Sequence, residues 1–293
     1  RKIRFHRKFH QMTYGVRMMI WAGLTFAMMN VAVKLLPSIP SSEIVFFRAM
    51  VSLILSAYFV RRKRIPFFGS NKKVLLLRGF FGTTALMLFF YTIHVLPLAS
   101  AMVIHYLSPI FTALIAHFFL KERLRFSQVF FFIVSFAGIV IMKGFDERLD
   151  WLDVAAGVGA ALLSGAAYNC IRKLKFSEDS QVIILYFPMV AFPITLAYTL
   201  LGPGWITPNM QELGLLILIG VLTQIAQYFL TRAYQSEMAN KVAAVSNLGV
   251  IYALAIGYFL FSETYSKLTI VGMLMVVAGV VFNVVFKSKQ STT

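Results

Sequence analysis

Acidic residues are scarce in this chain, with 11 Asp and Glu set against 28 Lys and Arg in 293 residues. Charged residues of both signs reach only 13%, about half of the ~25% usual in a soluble domain. The single cysteine, Cys170, excludes an internal disulfide framework and any CxxC metal or redox site. It reads as a small side chain that suits an apolar helix. The sequence also has no GxSxG elbow, no HExxH pair and no phosphate-binding GxxxxGK[ST] loop. No catalytic residue, cofactor or metal site is therefore expected. Two of the five histidines, His105 and His117, fall well inside apolar runs. Their spacing puts them about 120° apart on a helix, so they cannot share a metal unaided.

Hydrophobic residues are what the chain has in excess, at 59% against the ~45–50% of soluble domains. A soluble fold would have too little polar surface to cover itself. Runs long enough to span a bilayer, roughly 17–25 residues each, recur along almost the whole length. The expected class is an all-α integral membrane protein with ten transmembrane helices. They fall near 14–36, 43–60, 74–94, 98–120, 126–143, 152–172, 181–201, 212–232, 239–261 and 268–286. Breaks occur at Pro37 and Pro40, at Arg61 to Arg64, at Asp146 and Glu147, and at Gly202 to Gly204. Residues 1–13 form a basic lead. The run that follows is long and has no small-residue cleavage pattern, so it reads as a retained first span.

Basic loops stay in the cytoplasm. With the amino terminus inside, 23 of the 28 basic residues lie on the cytoplasmic side. Both termini are thus expected to be cytoplasmic, with residues 287–293 as a short tail, in the cell (inner) membrane. The net charge of +17 is split among short loops on one face. It reads as a topology signal that also meets anionic lipid headgroups, and not as a nucleic-acid surface.

The first half of the sequence echoes in the second. Residues 27–35 (AMMNVAVKL) match 166–174 (AAYNCIRKL), which pairs Asn30 with Asn169 and Lys34 with Lys173. At a shift of 141, Gly79 meets Gly220, Leu107 meets Leu248, Glu122 meets Glu263 and Gly138 meets Gly279. Matches in this order divide the chain into a repeat at 14–145 and another at 146–286. Each repeat holds five helices, an odd number, so the second must be inverted relative to the first. Inverted repeats are the mark of secondary transporters, whose two units tilt around a central site to give alternating access.

Ten spans as five plus five, the segment LASAMVIHYLSP at 98–109 running on to Glu122, and its echo at Glu263 resemble the drug/metabolite transporter superfamily, EamA-like branch. LRGFFGTTA at 77–85, followed by Tyr91, is similar to the nucleotide-sugar-type solute carriers of that group. The resemblance implies a basket of ten helices. Spans one to four and six to nine would line a central cavity, with five and ten at the periphery. No proline stands in the second repeat where Pro109 stands in the first; Val250 aligns there.

Polar groups inside membrane helices are costly and mark candidate sites. Arg48 lies within the second span and needs a partner, which would be Glu43, a carbonyl cluster or an anionic substrate. Glu43 is also the candidate proton carrier. Arg78 sits four residues inside the third span, where snorkelling competes with cavity lining. Asn30 and Asn169 suit either substrate binding or helix tying. Lys34 and Lys173 are gate charges or interfacial anchors. The third span offers Thr83 and Tyr91, and its echo offers Gln224, Gln227 and Tyr228, spaced i, i+3, i+4 on one face as a polar wall; Asn247 comes from the ninth span. In the fourth span His105 and Ser108 share a face, Tyr106 adjoins them, and Pro109 leaves the His105 carbonyl without a donor and marks a hinge. Glu122 and Glu263 read as helix-end caps or interfacial ion pairs.

The expected function is secondary transport of a small polar metabolite, an organic anion or zwitterion such as a carboxylate or amino-acid-like solute. The partners are that substrate, the bilayer and a coupling proton or ion, with the chain a monomer or weak homodimer. The alternatives are an exporter of multidrug or lipophilic compounds and an integral-membrane enzyme acting on lipid.

Overall fold

The computed structural model describes residues 13–120, 126–201, 205–236, 245 and 248–288. Its described elements are all helical: α1 Tyr14–Lys34, α2 Ser41–Arg62, α3 Lys72–Val95, α4 Leu98–His105, α5 Ser108–Leu120, α6 Phe126–Phe145, α7 Trp151–Lys173, α8 Ser180–Leu201, α9 Met210–Ser236, α10 Leu248–Phe261 and α11 Lys267–Ser288. These make ten spans, because α4 and α5 are two halves of one. Among the described residues, seven of the spans, counting α4 with α5 as far as Phe118, are long and apolar enough to cross a bilayer. Bulky apolar side chains point outwards, Phe259 at 78% exposure among them, as lipid-facing surfaces require.

Local chemistry sets the helix ends. The Asn71 and Asp150 side chains accept from Val74 N–H and Leu152 N–H at the starts of α3 and α7. Pro40 and Pro97 precede α2 and α4, where a missing N–H costs nothing. After α10 the chain turns through Ser262 at φ 51°, and the Glu263 N–H returns to the Gly257 carbonyl at 2.9 Å.

Packing follows a pseudo-two-fold exchange of the two repeats. α1 packs along α9, and its counterpart α7 packs along α3. α2 meets α9 as α8 meets α3. The pairs α2 with α8, α4 with α10 and α6 with α11 each join an element to its own counterpart. In the last pair the backbones nearly touch: a Cβ on Gly138 would lie 2.6 Å from the Gly272 carbonyl oxygen, and one on Gly272 the same distance from that of Gly138.

The break inside the fourth span falls where Pro109 placed it. Pro109 cannot donate to His105, and the turn is bridged by shorter bonds, Leu107 N–H to Ile104 O at 3.1 Å and Ile110 N–H to Leu107 O at 2.9 Å. On the facing span, Gly249 leaves the gap that the Tyr106 phenol fills.

Candidate functional site

A cavity of about 140 Å³ lies at the centre, walled by α1, α2, α3, the α4–α5 break, α7, α8 and α9. The peripheral pair α6 and α11 contributes nothing to it among the described residues. The wall is mainly aromatic and methionine-rich, from residues such as Phe26, Met29, Phe89, Met102, Tyr168 and Phe187. Among the described residues no aspartate or glutamate lines it.

Two arginines provide its charge. Arg48 is 1% exposed; its Nε donates to Thr223 Oγ1 at 2.6 Å and its guanidinium lies against the rings of Phe90 and Phe187. Arg78 is 3% exposed, donates from Nη2 to Gln227 Oε1 at 3.3 Å, and stands against Phe187 as well. Gly82 makes this possible: a Cβ there would meet the Arg78 guanidinium and, at 2.8 Å, the Phe187 ring. Each arginine keeps an N–H without a partner, Nη1 of Arg48 and Nε of Arg78. Cation–π contact stabilises a buried guanidinium but does not neutralise it.

Of the residues singled out in the sequence, Asn30, Arg48, Arg78, His105, Tyr106, Ser108, Pro109 and Gln227 line this cavity. Asn30 Nδ2 contacts the Met102 sulfur at 3.0 Å, while its Oδ1 is left over. The His105 ring stacks on Phe89 at 4.2 Å and its Nδ1 has no partner.

The others lie elsewhere, each for a physical reason. Thr83 turns back on its own helix, donating to the Gly79 carbonyl at 2.8 Å. Tyr91 is 39% exposed and bonds Asp153 at 2.7 Å, tying α3 to α7 at the membrane edge. Asn169, the counterpart of Asn30, donates to Thr112 O and Gly165 O, both at 3.0 Å, and ties α7 to α5. Gln224 accepts from Ser56 at 3.1 Å and ties α9 to α2, and Tyr228 stands beside Arg232. Asn247 and Glu122 lie outside the described residues.

Glu43 does not face Arg48. Five residues turn a helix by about 140°, and its Oε1 instead accepts the Ile206 N–H at 2.8 Å. Lys34 closes the end of α3, donating to Ile93 O and Leu96 O at 2.9 and 2.8 Å, while Lys173 is exposed. The repeated lysines therefore differ in surroundings although they match in sequence.

Glu263 is a cap, but not of its own helix. Its Oε1 accepts the buried Leu98 N–H at 2.8 Å, so a carboxylate of the second repeat caps α4 of the first. Its Oε2 accepts from Tyr265, whose phenol is pushed above its usual range by burial and by that carboxylate. The Arg148 guanidinium packs on Tyr265 and pairs with Asp146 at 2.8 Å. Glu263→Ala is expected to lower stability by about 1–3 kcal/mol through the orphaned N–H, with a smaller loss for Glu263→Gln. Thermal melting of the purified variants reads this directly.

Sequence reasoning did not find Phe187, Tyr168 or the methionines. An aromatic ring within an apolar run carries no signal of which neighbour it will meet.

Two inverted five-helix units around a central cavity that holds two buried arginines define a multi-pass transporter fold. The EamA-like transporter family matches residues 13–143 and 151–285, and the chain belongs to that family, within the drug/metabolite transporter superfamily. It is 31% identical over 268 residues to the pseudopaline exporter CntI of Pseudomonas aeruginosa, covering 90% of this chain and 94% of that one. It is 28% identical to an S-adenosylmethionine uptake transporter of Rickettsia prowazekii (86% and 85% covered) and 26% to mouse solute carrier family 35 member G1 (90% and 76%). A solved crystal structure shares the fold at a TM-score of 0.67 and 15% identity, over 93% of this chain and 96% of its own. The chain is a transporter and not an enzyme.

Proposed function

We propose that the protein is a secondary transporter of a small polar metabolite, an organic anion or zwitterion such as a carboxylate or amino-acid-like solute. The observation that carries this reading is the pair of buried guanidiniums in a cavity that no acid lines among the described residues. Buried charge is stable only when compensated, and here the substrate supplies the compensation. Asn30, His105, Tyr106, Ser108 and Gln227 offer the uncharged contacts. An exporter of lipophilic cations would need a carboxylate at this depth, and Glu43 is engaged near the membrane edge.

Transport proceeds by rocking of the repeats 14–145 and 146–286 about the cavity, with Pro109 as the hinge of the fourth span and Lys34 as a gate charge. Both termini are cytoplasmic and the membrane is the cell (inner) membrane. Met19 and Tyr234 line the cavity on the side of the basic connection between α2 and α3, the side that this topology makes cytoplasmic. The opposite end is filled by Leu36, Ile39, Leu96 and Leu98. One of the relatives is named for export and another for uptake, so the direction is left to experiment.

The test is counterflow in liposomes containing the purified protein. Labelled carboxylates and amino acids are expected to exchange across the membrane, and neutral sugars are not. Turnover of a lipid with no solute movement under any gradient would sink the proposal.

A further inference from the structure

The two guanidiniums share one aromatic neighbour and take their hydrogen-bond anchors from one helix. Each guanidinium carbon lies 5.0 Å from the centre of the same Phe187 ring, so they are at most about 10 Å from one another, twice that ring distance. Their hydrogen-bond anchors, Thr223 for Arg48 and Gln227 for Arg78, sit one turn apart on α9, about 6 Å along its axis. Both anchors are neutral. A hydroxyl and an amide orient a guanidinium without cancelling its charge. Each guanidinium also retains a buried N–H with no partner.

One carboxylate docked on either arginine would leave the other buried charge uncompensated, which is the costly arrangement. We infer that the cavity takes a substrate with two anionic groups on one short frame, a small dicarboxylate, with one carboxylate for each guanidinium. This rests on the reading of the cavity as the substrate site. The stagger of their anchors by about 6 Å along α9 favours two anionic points over one compact anion such as phosphate. Arg–carboxylate pairing can be bidentate, and the unpartnered N–H on each arginine supplies a donor for it.

Thermal stabilisation of the full-length protein in detergent measures this. It is titrated with succinate, glutarate and adipate, with butyrate, valerate and hexanoate as monocarboxylates of matched length, and with inorganic phosphate. At least one dicarboxylate is expected to bind about tenfold or more tightly than its matched monocarboxylate and than phosphate. Arg78→Gln is expected to erase that preference, a loss of about thirtyfold for the dicarboxylate, while monocarboxylate binding persists and reports an intact cavity. Equal binding of the two series, or a preference for phosphate, overturns the two-point inference and leaves the anion reading standing. No stabilisation by any of these anions overturns both.

Discussion

Replacing Arg48 with alanine is expected to reduce solute movement in liposomes to background while the protein still folds. The side chain is 1% exposed, bonded among the described residues to Thr223 alone, and stacked against Phe90 and Phe187. Without substrate its charge is uncompensated, and the effective penalty of such an ion is several kcal/mol. Removing it therefore relieves the empty protein of a destabilising term, although the alanine forfeits the packing of the side-chain stem. Arg48→Met separates the two effects, because it keeps the stem and discards the charge. Its melting temperature is expected to equal or exceed that of the parent, with transport still lost. A variant that transports normally after either change would remove the basis for an anionic substrate.

The other large effect is expected at the periphery. Gly272→Val places a branched side chain where the Gly138 carbonyl oxygen lies 2.6 Å, and the Met142 amide nitrogen 2.9 Å, from a Cβ. These are backbone atoms of a packed helix and cannot swing aside. The α6–α11 pair must separate, at a cost of about 1–3 kcal/mol or more by the usual range for overpacking. Gly272→Ala is the milder probe and should fall between parent and valine. Melting in detergent and resistance to protease are expected to drop in that order. The substrate preference of whatever protein remains folded should be unchanged, since neither helix lines the cavity among the described residues.

Much of the architecture was legible because bilayer thickness and hydropathy constrain it strongly. The ten spans, their breaks at proline and basic clusters, and the repeat matched at Asn30 and Asn169 follow from spacing alone. Pro109 announced the break at Tyr106 and Leu107 by leaving the His105 carbonyl without a donor, although Pro188 and Pro193 sit inside a continuous α8. The two arginines stood out for the same reason that makes them costly. What the sequence withheld is which partner each helix face meets. Gln224 and Gln227 share a face, yet one ties α9 to Ser56 while the other holds Arg78. Asn30 and Asn169 match in the repeat, yet only the first reaches the cavity, where Met102 of the broken span meets it. Glu263 was readable as a cap, but its target on α4 lies across the fold.

Under the proposed alternating access over a dianion, the pair Arg48 and Arg78 also gives the carrier an electrical asymmetry. Moving one elementary charge through the membrane potential is worth about 2.3 kcal/mol per 100 mV. A cavity with two fixed positive charges that closes over a dianion is neutral, so voltage has little hold on the loaded step. The empty cavity carries both charges when its access changes sides. The membrane potential then acts on the return of the empty carrier, and the resting voltage of the cell sets how fast it resets.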